Sequence, residues 1–209
     1  MSLILYHYWR SSASWRVRWA IELKKIPCDY RAVDLLQGAE KKAEYLAHNP
    51  SGYVPCLIAG DFQLGESMAI LEWLEEKYPT HPLLGAISNE RAKIRQVAET
   101  INSGIQPLQN LDVLKKFSPD KEEQKKWVQH WIQRGMSVVE SLLLASGNQK
   151  TKFCFGDSPS LADLCLIPQC HAARRFEVDL SAFPRCNSIF EHALSTEACI
   201  KSSPEAWQP

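Results

Sequence analysis

Hydrophobic and polar positions divide the chain into two stretches with different periods. In the first, short apolar runs alternate with helical repeats. Leu3 to Tyr8 is an apolar run of strand length. Trp15 to Lys25 follows as a helix, with Val17, Ala20, Ile21 and Leu23 on its inner side, and Pro27 closes it. Cys28 to Leu35 alternates loosely as a second strand. Two strands around a helix of this length predict a right-handed parallel βαβ unit. Ala39 to Ala47 predicts a short charged surface helix, and Asn49-Pro50-Ser51-Gly52 is turn chemistry. Val54 to Ile58 is a third strand, with Pro55 near its start where proline is tolerated. Gly60-Asp61 predicts a hairpin into Phe62-Gln63-Leu64. Met68 to Lys77 predicts a helix with Ile70, Leu71 and Leu74 inward and Ser67 as its N-cap.

Tyr78-Pro79-Thr80-His81-Pro82 breaks the pattern, and beyond it every periodic run is helical. The expected organisation is an α/β domain over residues 1–80, a linker over 81–87 and an all-helical domain over 88–209. From Asn89, the residues Ile94, Val97, Ala98, Ile101, Ile105 and Leu108 recur at helical spacing, with Pro107 expected to kink the run. Ser118-Pro119-Asp120 predicts a helix start with proline in the first turn. Its inner stripe is Trp127, Val128, Trp131, Ile132, Val138, Val139, Leu142 and Leu143. Ser160-Leu161-Ala162-Asp163 is a capping box before Leu164 to Ile167, and Pro168 is expected to bend or shorten that helix. Pro184 to Leu194 predicts a last short helix, and Ser202 to Pro209 a tail.

Composition narrows the function classes. In 209 residues, 24 basic side chains balance 24 acidic ones, so no extended nucleic-acid or membrane-binding surface is expected. No apolar run approaches the ~20 residues of a membrane span. The start lacks the regions of a signal peptide, so a cytoplasmic location is the expectation. Seven cysteines, an odd number without a Cys-x-x-Cys, predict reduced buried thiols. Six histidines without a His-x-x-x-His pair leave no metal site expected.

The chemistry-bearing stretch is Arg10-Ser11-Ser12-Ala13-Ser14-Trp15-Arg16-Val17-Arg18, where a strand ends and a helix begins. Serine oxygens cap free backbone N–H groups there, and those groups with the helix dipole attract anions. A hydroxyl in this place can donate to an external thiolate; taken alone, the stretch also reads as a capped helix and nothing more. Glu66-Ser67 opens a second such helix start. Ser67 suits a carboxylate and Glu66 an ammonium group, so a zwitterionic amino-acid head would satisfy both, although a cap beside a solvated glutamate explains the pair equally. A cis Val54–Pro55 bond would turn the Val54 peptide groups outward, where they can pair with a bound peptide; an ordinary trans proline is the alternative. Gln106 and Asn110, one turn apart, share a face, and Arg174 and Arg175 adjoin Phe176.

In this order the motifs resemble the soluble glutathione transferases, with a thioredoxin-like first domain and an all-α second. The segment Ser11 to Arg18 is similar to the zeta-class signature. Asn49-Pro50-x-Gly-x-Val54-Pro55, Gly104-Ile105-Gln106-Pro107-Leu108-Gln109-Asn110-Leu111 and Ala162-Asp163-Leu164-Cys165-Leu166-x-Pro168-Gln169 extend the resemblance over essentially the whole chain. The class includes maleylacetoacetate isomerase and the related maleylpyruvate isomerases. The resemblance implies a glutathione-dependent cis–trans isomerase in aromatic amino-acid catabolism. It would convert maleylacetoacetate to fumarylacetoacetate by reversible addition of the glutathione thiolate. Glutathione would be held by Ser11 or Ser12 at the sulfur, Val54 and Pro55 at the cysteinyl backbone, and Glu66 and Ser67 at the γ-glutamyl head. Gln106 and Asn110 would be contributed by the second domain. A diacid substrate needs cations, and Arg175, followed by Arg10, is the implied clamp, with Arg174, Arg16 and Arg18 left as structural. The resemblance also implies a homodimer. Many members carry cysteine where this chain has Ala13; the attacking sulfur belongs to glutathione, so the isomerisation does not require it. The alternatives are a maleylpyruvate isomerase, a general glutathione transferase or peroxidase, and a non-catalytic scaffold on the same fold.

Overall fold

A computed structural model describes residues 2–147 and 150–209. They form two compact units. Unit 1 runs up to Pro82 and takes in Thr196–Pro209; unit 2 is Leu83–Ser195.

Unit 1 is built on a four-stranded sheet in the order β2-β1-β3-β4. Strand β1 (Leu3–His7) pairs in parallel with β2 (Cys28–Ala32), and antiparallel with β3 (Cys56–Ala59), which pairs antiparallel with β4 (Phe62–Leu64). The parallel pair encloses helix α1 (Ser12–Lys24), the predicted βαβ unit. Period-two alternation gives each side of β1 a task. Leu3, Leu5 and His7 are buried, while Ile4, Tyr6 and Tyr8 turn to a second cluster with Val33, Tyr45, Val54, Cys56 and Ile58. Helix α3 (Ser67–Lys77) packs beside α1. The segment expected to be one helix over 39–47 is a 3-10 turn, Ala39–Lys41, followed by the single turn α2 (Ala43–Leu46). Thioredoxin-like topology is thus present as expected.

Unit 2 is helical throughout: α4 (Ser88–Asn102), α5 (Leu111–Phe117), α6 (Lys121–Ala145), α7 (Leu161–Arg175) and α8 (Pro184–Leu194). Several expectations need correction. The run from Asn89 does not continue through a kink at Pro107. It ends at Asn102, and Gly104 lies so close to the last turn that a Cβ there would stand 2.6 Å from the Thr100 carbonyl oxygen. Pro107 instead sits in the first turn of a separate 3-10 segment, Gln106–Gln109, where a missing N–H costs nothing. Helix α6 is started by Asp120, whose carboxylate accepts from the N–H groups of Glu122 and Glu123; Pro119 lies outside it. Its buried stripe includes Met136 and leaves Val138 nearly half exposed. Pro168 does not interrupt α7, which runs on to Arg175.

The last segment is not a loose tail. Helices α9 (Glu197–Ser202) and α10 (Pro204–Trp207) belong to unit 1, where α9 packs on α1. The indole N–H of Trp15 donates to Ser202 Oγ at 3.1 Å, and Arg18 Nε donates to the Ser202 carbonyl at 2.9 Å. The division therefore differs from the expected 1–80 and 88–209. The Trp207 ring also packs against His7 and Tyr30, and these scattered polar and aromatic contacts leave no periodic apolar pattern to read. No helix is long and apolar enough to cross a membrane.

Candidate active site

The turn between β1 and α1 is fixed by its own hydroxyls. Ser11 has extended backbone angles, φ −73° and ψ 121°, and is the N-cap of α1; its Oγ accepts from the Ser14 N–H at 3.1 Å. Ser14, fully buried, accepts from the Tyr8 N–H at 3.3 Å. A hydroxyl can accept and donate at once, so capping leaves the Ser11 proton to be given outward. Ser12 is the first helical residue, and both it and Ser11 are half-buried. No acidic side chain occupies the first turn of α1 to neutralise its positive end. Arg10 stands immediately before, its guanidinium 5.5 Å from the centre of the Trp9 ring.

Arg18 supports this turn from below. Fully buried, it donates to the carbonyls of Tyr8 at 3.3 Å and Trp9 at 3.0 Å, and its Nη1 lies 3.2 Å from His7 Nδ1. Arginine only donates, so Nδ1 of His7 accepts and the ring is neutral with its proton on Nε2. Burial first, and the Arg18 charge second, push the His7 pKa down to about 4. Arg18 is structural, as its place in the sequence suggested.

Val54 and Pro55 are buried just before β3, joined by a cis bond. The β1–β3 ladder ends at the Tyr6–Cys56 pair, so Val54 stands beyond it. The carbonyl of Tyr53 accepts from Asn49 Nδ2 at 2.8 Å and from the Tyr45 hydroxyl at 2.5 Å. Asn49 also packs under Gly65, where a Cβ would come within 3.1 Å of its amide. One buried amide thereby holds both the approach to Val54 and the entry to Glu66. The sequence showed Asn49 only as a turn residue; nothing local revealed its reach to Gly65.

At α3 the expected N-cap shifts by one residue. Glu66 occupies the cap position at φ 60° and ψ 112°, a left-handed conformation costly for a residue with a Cβ. It makes no capping bond with its side chain, and the carboxylate is on the exposed surface. Ser67 is the first helical residue, 5% exposed, and its Oγ accepts from Arg16 Nη1 at 3.2 Å. The cap residue thus gives the first turn of α3 no side-chain acceptor. This arrangement fits a ligand whose carboxylate meets the helix start and whose ammonium meets Glu66.

In unit 2, Gln106 and Asn110 are brought together, Nε2 of the first 3.4 Å from Oδ1 of the second. Gln106 opens the 3-10 turn and Asn110 caps its end, so the two do not share an α-helical face. Gln109 Nε2 donates to Gln169 Oε1 at 2.9 Å and ties that turn to α7. Arg175 is exposed in the last turn of α7, its guanidinium 4.8 Å from the centre of the Phe176 ring. Arg174 pairs with Glu191 and covers Phe190, a structural use. Six of the seven cysteines are buried as reduced thiols, and Cys28 is half-buried. Burial pushes the Cys56 thiol up to about 11, so it is no nucleophile near neutrality. Among the described residues no group of His, Cys, Asp and Glu is arranged to hold a metal ion.

A family profile described as the glutathione S-transferase N-terminal domain matches residues 5–82. The chain is 49% identical over 208 residues to the probable maleylacetoacetate isomerase 2 of Drosophila melanogaster, covering 99% of this chain and 89% of that one. It is 41% identical to the maleylacetoacetate isomerase of Rattus norvegicus, covering 96% and 92%. Among solved structures, a holo maleyl pyruvate isomerase, a bacterial zeta-class protein, superposes with a TM-score of 0.94 at 38% identity, covering 99% and 98%. The maleylacetoacetate isomerase of Anaeromyxobacter dehalogenans with glutathione in its active site gives 0.85 at 38%, covering 98% and 95%. With its serine turn, its Val54–Pro55 corner and its Glu66–Ser67 helix start, the chain belongs to the zeta class of the glutathione transferases, the family of the maleylacetoacetate isomerases.

Proposed function

We propose that this chain is a glutathione-dependent isomerase converting maleylacetoacetate to fumarylacetoacetate, working as a homodimer in the cytoplasm. The observation that carries the reading is the pair of helix starts in unit 1. One offers a hydroxyl proton at Ser11, the other a helix start that Glu66 does not cap with its side chain, beside that exposed carboxylate. These match two parts of glutathione, the thiol of its central cysteinyl residue and its zwitterionic γ-glutamyl head. Bound glutathione supplies a sulfur nucleophile that adds reversibly to the cis double bond and leaves once the bond has turned. Ser11 donates to that sulfur and keeps it ionised, with the α1 dipole adding to the effect; Ser12 is the substitute donor. Val54 pairs with the cysteinyl backbone beside Pro55. Glu66 takes the ammonium, and Ser67 with the first N–H groups of α3 takes the carboxylate. Gln106 and Asn110 bind further along the ligand. Arg10 and Arg175 hold the substrate carboxylates through guanidinium forks.

The deciding assay follows cis-to-trans isomerisation of maleylacetoacetate with glutathione added or omitted. Turnover only with glutathione is expected; turnover without it, or none in either case, overturns the reading. Retention on a glutathione resin distinguishes an enzyme of this kind from a scaffold. A second reading, maleylpyruvate as substrate, is favoured by the 38% identity to the maleylpyruvate isomerase of Ralstonia sp over 97% of each chain, and the same assay with that substrate decides it. Arg175→Ala is expected to raise KM for the diacid about tenfold or more while leaving glutathione affinity within about twofold. Equal losses on both would remove Arg175 from the substrate clamp. Sedimentation of the purified protein tests the dimer.

A further inference from the structure

We propose that Arg16 is a positioning residue for the glutathione head group, acting through Ser67; this rests on the glutathione reading above. Arg16 lies on the inward face of α1 with 1% of its surface exposed. Its Nη1 donates to Ser67 Oγ at 3.2 Å, a bond across 51 residues of sequence between buried side chains. Ser67 opens α3, and Glu66 before it provides no side-chain cap.

The geometry fixes a proton. A guanidinium can only donate, so Arg16 occupies an acceptor site on Ser67 Oγ. The serine hydroxyl has one hydrogen, which must then point to an acceptor other than Arg16. A carboxylate delivered to the start of α3 meets that hydrogen and the first N–H groups of the helix together. Arg16 also brings a buried positive charge against Ser67. Away from water such a charge is weakly screened, so it reinforces the positive end of α3. Helix α1, which carries Arg16, has Ser11 and Ser12 at its start. The central thiol and the γ-glutamyl head group of the ligand are therefore referenced to one rigid element. Lysine would keep the charge but not the planar donor geometry.

The test compares binding of glutathione with binding of γ-aminobutyryl-cysteinyl-glycine, the same tripeptide without the head-group carboxylate. The unaltered protein is expected to prefer glutathione by about 10–100-fold, the range for a hydrogen bond to a charged group. Arg16→Gln is expected to cut that preference about tenfold, entirely through weaker glutathione binding, with analogue affinity within about twofold. Arg16→Lys falls between the two. KM for glutathione rises while kcat at saturating glutathione is retained. Equal losses for both peptides mean Arg16 serves only to hold the fold, and overturn the proposal. Binding of neither peptide by the unaltered protein overturns the glutathione reading itself, a different result. If the Arg16 variants do not fold, Ser67→Ala decides. Loss of the preference together with a Tm lower by a few degrees in the ligand-free protein is expected, because Arg16 loses an acceptor. An unchanged ligand-free Tm means the bond carries no weight, and overturns the proposal.

Discussion

Helices α3 and α7 begin in opposite ways. At α7 the chain supplies its own acceptor. The fully buried Asp163 carboxylate accepts from the N–H of Ser160 at 2.8 Å, the hydroxyl of Ser160 at 2.7 Å and the N–H of Cys154 at 2.9 Å. That capping box is complete, with Ser160 and Asp163 each taking a backbone N–H of the other. At α3 the cap position is a glutamate in a left-handed conformation with no side-chain bond to the first turn, and the serine beside it is held from behind by Arg16. The lesson is about what remains unsatisfied. A helix start that the protein seals is a folding device; one that it leaves open, next to a residue held in a costly conformation, is a place for an anion. The start of α1 is intermediate, since Ser11 seals one N–H and keeps a hydroxyl proton to give away.

Breaking the sealed end has the largest effect. Asp163→Ala strips the acceptor from three buried donors and is expected to cost roughly 3–5 kcal/mol of stability. Urea unfolding measures this, and glutathione affinity of the folded fraction should not change. A loss below about 1 kcal/mol would mean the box is not the seal described.

His7 is another group satisfied from within, and it gives a pH dependence. Its folded pKa of about 4 lies below the ordinary 6.5, so the unfolded chain binds the extra proton between those values. Its contribution is complete above about 6.5 and is lost as pH falls toward 4, amounting to about 3 kcal/mol. Unfolding free energy followed over that window should fall with pH. His7→Gln, whose amide oxygen can still accept from Arg18, should flatten that part of the slope; an unchanged slope would assign it to other groups.

The open end responds in the reverse sense. Glu66→Gly relieves the left-handed backbone and is expected to stabilise the ligand-free protein by about 1 kcal/mol. It should also weaken glutathione binding about tenfold by removing the partner of the ammonium. Stability gained with affinity lost is the signature of strain kept for a ligand; unaltered affinity would leave Glu66 with no role in binding.

The same contrast separates what the sequence disclosed from what it hid. Period-two and helical patterning placed β1, α1, α3 and α8 within a few residues, and Ser160-x-x-Asp163 announced its capping box because all its partners are local. The open helix start was misplaced by one residue, since serine is the better cap by composition and only the backbone angles of Glu66 reveal otherwise. Continued apolar spacing at Ile105 and Leu108 suggested one long helix, although Gly104 leaves no room for a side chain. Long-range contacts had no local trace: Arg16 to Ser67, Asn49 to Gly65, and Trp15 to Ser202. Helix-start chemistry singled out Ser11, Ser12, Glu66 and Ser67 in the sequence, the motif resemblance tied them to glutathione and added Arg10 and Arg175, and their neighbours came from the fold.

The central claim is that a hydroxyl at the start of α1 keeps the sulfur of bound glutathione ionised, and ultraviolet titration of that thiolate on the protein tests it most directly. The account predicts a thiol pKa at least about one unit below the free value of about 8.5, raised again by Ser11→Ala, or by Ser12→Ala if that alcohol is the donor. A thiol that titrates on the unaltered protein as it does in water, or one indifferent to both substitutions, would contradict it.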